Sequence, residues 1–212
     1  MKNDYLVSII KHYEDCLEKF GDSHLGVDWP KPEDVNTRYR VMLELQKFDP
    51  QPNIVNPSLL DFGCGTAHMF EYMNQNDFQD WSYSGLDISP KFVSVCNTKF
   101  KDTKFYCLDI LKNDLAIDKV DYIIMNGVFT EKRELSFDEM YEYFKQMLEK
   151  IFPLANRGVA FNTMSKAVDW ERDDLFHLPI DLLASFLSKK LNRNFIIRND
   201  YGLYEFTTYV YH

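Results

Sequence analysis

Three carboxylates and one carboxamide stand at the ends of four short apolar runs: Leu59-Leu60-Asp61, Gly85-Leu86-Asp87, Tyr106-Cys107-Leu108-Asp109 and Ile123-Ile124-Met125-Asn126. An apolar run closing on a polar residue is how a buried strand presents a hydrogen-bonding group at a sheet edge. Asp61 is followed by Phe62-Gly63-Cys64-Gly65-Thr66-Ala67 and then by an amphipathic segment around Met69-Phe70-Glu71-Tyr72-Met73. That order reads as strand, tight turn, helix. Gly63 and Gly65 free the backbone for unusual dihedrals and leave no Cβ in the path of a ligand. The turn opens a helix whose first N–H groups point outward. Asp87 lies about twenty residues beyond the turn, where an acid in a βαβ unit is placed to accept from ribose hydroxyls. The four ends together describe a crevice that binds a small molecule along the carboxyl edge of a parallel sheet.

The elements needed to hold those ends are visible in the spacing. Residues 5–20 place Leu6, Ile9, Ile10, Tyr13, Leu17 and Phe20 at helical intervals, with Gly21 as a stop. A second helix is expected over 36–48, and Asp49-Pro50-Gln51-Pro52-Asn53 reads as a linker into the sheet. Strand and helix then alternate from Ser58 to about Phe152. Ser136, with Glu139 three residues on, caps the helix after the fourth strand, and Pro153 closes it. Gly158–Thr163 is a fifth strand, 179–191 a helix, and 194–200 and 205–211 a closing hairpin turning at Tyr201-Gly202.

Composition narrows the class. The 212 residues are enough for one well-cored domain. The net charge of −9 argues against a nucleic-acid binder, which would carry a basic stripe. No segment reaches the roughly 18 apolar residues of a membrane span, and Met1-Lys2-Asn3-Asp4-Tyr5 has no signal-peptide core. The four cysteines form no C-x-x-C pair, which fits reduced thiols and a cytoplasmic location. His12, His24, His68, His177 and His212 are scattered without metal-ligand spacing, so no metal site is expected.

The series LLDFGCGTA, YSGLDIS, FYCLDIL and DYIIMNGVF resembles the motifs of the class I S-adenosylmethionine-dependent methyltransferases, over roughly residues 36–212. The third glycine of the first motif is replaced by Ala67. A nicotinamide fingerprint is disfavoured, because His68 stands where G-x-G-x-x-G needs its last glycine. The resemblance implies an α/β, Rossmann-like, seven-stranded and mostly parallel sheet with an antiparallel last strand and helices on both faces. Residues 1–52 would form an N-terminal helical cover and 53–212 the cofactor-binding core of a single domain. It also implies roles. Gly63 and Gly65 approach the methionine part of S-adenosylmethionine, Asp61 orients its ammonium group and Asp87 holds the ribose. Ile88 packs on adenine, while Asp109 and the Ile110 backbone read its edge. Asn126 and Gly127 sit beside the methyl-transfer point, without the prolines of the N-P-P-Y form. His24-Leu25-Gly26-Val27-Asp28-Trp29 and Asn36-Thr37-Arg38-Tyr39 resemble a pattern in some bacterial small-molecule methyltransferases, several linked to surface polysaccharides. There Arg38 would pair with the cofactor carboxylate.

The acceptor side is written less clearly. The stretch from Met164 to Pro179 is dense in charge and reads either as a solvated loop or as a lid. As a lid it offers Trp170 as a wall and His177 or Asp174 as a base. His12 and Tyr13 could cover the cofactor, with Tyr13 more readily a core aromatic. The expected activity is methyl transfer to a small-molecule acceptor, an oxygen nucleophile such as a sugar or surface-polysaccharide precursor. The alternatives are a catalytically silent S-adenosylmethionine-binding partner or sensor, and a methyltransferase acting on a macromolecule.

Overall fold

The computed structural model describes residues 4–51, 53–112 and 117–212. Met1–Asn3, Pro52 of the linker and the side chains of Tyr5 and Leu6 lie outside that description.

Strict alternation of apolar side chains builds a sheet with two buried faces. In β1 (Ser58–Phe62) and β4 (Val120–Phe129), Leu59, Tyr122 and Ile124 join one core, and Leu60, Ile123 and Met125 join the other. The first core is covered by α2 (Pro32–Leu43) and α3 (His68–Gln75), the second by α5 (Phe137–Ile151) and α6 (Ile180–Phe186). The remaining strands are β2 (Ser82–Asp87), β3 (Lys104–Cys107), β5 (Ala155–Ser165), β6 (His177–Leu178), β7 (Phe195–Arg198) and β8 (Glu205–Tyr211), and α4 (Pro90–Lys99) joins β2 to β3. They lie in the order β3-β2-β1-β4-β5-β8-β7. The pairs among β1 to β5 are parallel, and β8 runs antiparallel to both β5 and β7. After β3 the chain crosses back to the far side of β1, so a switch point falls between β1 and β4. The sheet has one strand more than the expected seven. The two-residue β6 adds to β5 at Met164 and Ser165, off the main path.

Local chemistry explains the helix ends. α2 starts at Pro32, before the expected 36, because proline at the first helical position loses no bonded N–H. It tightens into a 3-10 turn over Glu44–Phe48. Ser136 and Glu139 form the expected capping box on α5. The expected helix over 179–191 is α6 followed by a π turn, Leu187–Leu191.

The N-terminal cover is tied to the sheet by polar bonds. Tyr209 Oη donates to the Val41 carbonyl and Tyr211 Oη to that of Leu45 at 2.6 Å. Asp49 accepts from Tyr122 Oη at 2.5 Å and from Arg157 Nε at 2.7 Å. α1 (Asp4–Phe20) ends at Gly21, whose φ of 66° and bond to the Leu17 carbonyl form a C-cap. Among the described residues, no helix is long and apolar enough to cross a membrane. All four cysteines are free; Cys64 and Cys96 are buried and Cys107 is exposed.

Candidate active site

A single cleft occupies the switch point, with about 1230 Å³ of space between protein atoms, part of it open to solvent. Its floor is the carboxyl edge of β1, β2 and β4, and its roof is the N-terminal cover, through Ile9, Ile10, Tyr13, Val27 and Trp29. Asp61, Gly63, Gly65, Asp87, Ile88, Asp109, Ile110 and Asn126 all line it. The sequence therefore named one continuous surface, although these residues span four separate strand ends.

The glycine turn is held by β2. The N–H groups of Gly63 and Cys64 donate to the Leu86 carbonyl at 2.7 and 3.0 Å, and that of Gly65 to Asp87 Oδ2 at 2.9 Å. Gly63 has φ of 75°, and a Cβ there would meet Val128 Cγ2 at 2.7 Å. Only glycine satisfies both conditions. Ala67, in place of the third glycine, takes the left-handed region too, with φ of 63° at the N-cap of α3. Asp87 completes its bonding by accepting from Ser89 N–H through Oδ1 at 2.9 Å.

Asp61 and Asp87 are buried, at 3% and 8% exposure. Asp61 accepts from Tyr83 Oη at 2.8 Å. Among the described residues, no basic side chain pairs with either carboxylate. Burial accordingly pushes Asp61 up to about 7, with the Tyr83 hydroxyl opposing, and Asp87 up to about 6, with backbone N–H groups opposing. Two buried acids facing a cleft, each with unused lone pairs, fit a ligand that brings an ammonium group and hydroxyls. Asp109 Oδ1 accepts from Leu111 N–H at 3.1 Å, and Lys112 Nζ lies 3.0 Å from Oδ2. Ile110 is buried beside it.

The end of β4 is braced by a polar chain that spans the fold. Asn162 Oδ1 accepts from Gly127 N–H at 2.7 Å, and Asn162 Nδ2 donates to Glu205 Oε1 at 2.9 Å. Arg38 Nε donates to Glu205 Oε2 at 2.9 Å, while its guanidinium lies 4.2 Å from the centre of the Trp29 ring. Trp29 in turn covers Gly127, where a Cβ would meet its Cζ2 at 2.9 Å. Arg38 was expected at the cofactor carboxylate. Here it lies outside the cleft lining, holding Glu205 and Trp29 in place.

The two expected bases are also placed elsewhere. His177 is buried outside the cleft lining, with Nδ1 2.7 Å from the Ser165 carbonyl and Nε2 accepting from Arg172 N–H at 3.3 Å. With one ring nitrogen donating and the other accepting, the neutral imidazole fastens β6 to β5 and leaves no nitrogen for an acceptor. Asp174 is paired with Arg172, which holds its carboxyl below the ordinary range, and its carbonyl accepts from the N–H groups of Lys132 and Arg133. Trp170 is 43% exposed and packs on Tyr204, with ring centres 5.1 Å apart. The lid reading thus gives way to a loop pinned at both ends. Conversely, Trp29 and Glu131 line the cleft without having been singled out for it, and Tyr13, read more readily as a core aromatic than as cover, lines it too. Glu131 had one available signal: an acid following Asn126 closely beyond the fourth strand.

Residues 60–159 match the family model described as a methyltransferase domain. A Mycobacterium tuberculosis protein, Rv1506c, which carries a provisional methyltransferase name, is 26% identical over 164 residues, covering 74% of this chain and 95% of its own. Among solved structures, magnesium protoporphyrin IX methyltransferase (ChlM) from Synechocystis PCC 6803 with bound S-adenosylmethionine has a TM-score of 0.63 at 16% identity. The match covers 100% of this chain and 98% of that one. The plantazolicin methyltransferase BamL, in complex with a triazolic desmethylPZN analog and S-adenosylhomocysteine, has a TM-score of 0.65 at 12% identity, covering 97% and 98%. At such identities the two structures speak for the fold. Fold, switch-point cleft and family match define a methyltransferase domain. Residues 60–159 carry the match to a methyltransferase domain, and the whole chain shares the fold of these S-adenosylmethionine- and S-adenosylhomocysteine-bound methyltransferases.

Proposed function

We propose that this enzyme methylates a small molecule at an oxygen nucleophile, with a sugar or surface-polysaccharide precursor as the leading class. The observation that carries the cofactor half is the pair of buried carboxylates, Asp61 and Asp87, which have no basic partner among the described residues and face the cleft beside the Gly63–Gly65 turn. Asp87 takes the ribose hydroxyls, since each of its oxygens keeps a lone pair beyond the backbone bond it already accepts. Asp61 takes the ammonium group. Asp109, Ile110 and Ile88 surround adenine, and Gly63 and Gly65 admit the methionine chain. Asn126 borders the transferring methyl. The bound cofactor supplies an electrophilic methyl on a sulfonium; the protein aligns the acceptor with it and excludes water.

The acceptor half is supported by the roof of the cleft. Tyr13, Val27 and Trp29 cover it, which suits a ligand enclosed between cover and core. The net charge of −9 disfavours a nucleic-acid substrate. Soluble metabolite extract and macromolecules from one lysate, each incubated with enzyme and methyl-labelled S-adenosylmethionine, test this. Label in the small-molecule fraction is expected. Label confined to protein or RNA would overturn the small-molecule reading.

A further inference from the structure

The cofactor reading leaves one cleft-lining acid without work. Glu131 continues the chain beyond β4 and lines the same cleft as Asn126 and Gly127. Its side chain is 12% exposed, and its Oε2 lies 2.9 Å from Arg133 Nε. The negative charge of Asp28 acts on the same carboxyl from the cover. Asp28 is held in the left-handed region, with φ of 58°, and its Oδ2 is 2.9 Å from His12 Nε2. His12 and Asp28 are partly exposed, at 27% and 37%. Glu131 thus sits at the end of the cleft beneath the partly exposed His12–Asp28 pair of the cover.

We propose that Glu131 is the base that receives the acceptor's proton, and that the acceptor is an uncharged hydroxyl or amine rather than a carboxylate or phosphate. This rests on the cofactor reading of the same cleft and names the acceptor's chemistry. In the step, a lone pair on the acceptor oxygen or nitrogen forms the new bond to the methyl carbon. The carbon–sulfur bond breaks with its electron pair staying on sulfur, giving S-adenosylhomocysteine. The acceptor's proton passes to Glu131, which releases it to solvent once the product has left.

The charges around the group favour this class. Glu131 faces Asp28, His12, Tyr13 and Cys16 from the cover, and the cations Arg133 and Arg172 from its own side. Arg172 is already paired with Asp174, and Arg133 lies between Glu131 and Asp174 Oδ2 at 2.9 and 3.8 Å. An anionic acceptor would meet carboxylates whose cations are taken, inside a low-dielectric cleft. A proton-bearing acceptor meets a base. Burial pushes the Glu131 carboxyl up to about 7, with Arg133 opposing and Asp28 reinforcing. That is the range in which a carboxyl both takes and gives up a proton near neutral pH.

The test compares S-adenosylhomocysteine with sinefungin, whose amine-bearing carbon replaces the methyl-bearing sulfur. Both are titrated by calorimetry, from about pH 6 to about pH 9, into wild type, E131Q, E131D and D28N. Wild type is expected to bind sinefungin about tenfold tighter than S-adenosylhomocysteine at the upper end, a difference of about 1.4 kcal/mol. E131Q should lose that preference while holding S-adenosylhomocysteine within about threefold, and E131D should keep part of it. D28N should move the onset of the preference to lower pH, because Glu131 loses its acidic neighbour. A preference unchanged in E131Q, or absent in a wild type that binds S-adenosylhomocysteine, overturns the base assignment. Failure of wild type to bind S-adenosylhomocysteine overturns the cofactor reading instead. Labelled product from metabolite extract should carry base-stable methyl; label released as methanol by mild base marks a carboxylate ester and overturns the acceptor class.

Discussion

Replacing Asp87 by asparagine removes a charge and changes almost no volume. Asp87 Oδ2 accepts from Gly65 N–H and Oδ1 from Ser89 N–H, both at 2.9 Å, and each oxygen keeps a lone pair for the cleft. Two hydrogen bonds to a charged acceptor contribute about 1.5–3 kcal/mol each, so the ribose would lose about 3–6 kcal/mol. Asparagine also turns a donor toward one backbone N–H, which weakens the anchor of the Gly65 turn. Some of the loss is recovered through the remaining amide oxygen. A rise in Kd for S-adenosylhomocysteine of at least about 100-fold is expected by calorimetry. The ligand-free protein should stay folded, because burial already holds Asp87 up at about 6 and its charge is a burden above that pH. A folded Asp87→Asn protein that binds within about threefold of wild type would refute the ribose assignment.

Cofactor binding should tighten with pH. Burial raises Asp61 to about 7 and Asp87 to about 6 in the free protein. An acid whose folded value is raised stabilises the fold below its unfolded value, and that contribution is lost as pH climbs through the folded one. The free protein therefore gives up stability between about pH 4 and about pH 7 through these groups, and a ligand bringing an ammonium group and hydroxyls recovers it. Saturating S-adenosylhomocysteine should raise Tm more at about pH 8 than at about pH 5.5, with proton release in buffers of different ionisation enthalpy. A flat profile would contradict the two acids' roles. Arg38→Ala should lower stability by about 3–5 kcal/mol in urea, because Glu205, 2% exposed, is left as a buried charge without its cation. A loss under about 1 kcal/mol would show that the pair is solvated.

The fold was legible where local rules and tertiary packing agree. The alternation through Leu59 and Leu60 assigns the two sheet faces, and Ser136 with Glu139 marks a helix start that the structure keeps. The strand-end polar residues were legible because a parallel sheet gathers all its carboxyl ends at one edge. What stayed hidden depends on partners distant in sequence. Arg38 reads as a free guanidinium until Glu205, 167 residues away, comes beside it. His177 has the chemistry of a base, yet the backbone of Ser165 and Arg172 occupies its ring. Tyr13 has the spacing of a core residue and lies over the cleft, because α1 packs on the open end of the sheet. β6 was invisible because two residues carry no period.

The central claim is that the switch-point cleft binds S-adenosylmethionine. Calorimetric titration of the folded, ligand-stripped wild-type protein tests it most directly. A single site per chain with Kd in about the micromolar range, and a negative heat-capacity change from burying adenine under the cover, is the expected result. A folded protein that binds neither S-adenosylmethionine nor S-adenosylhomocysteine would contradict it.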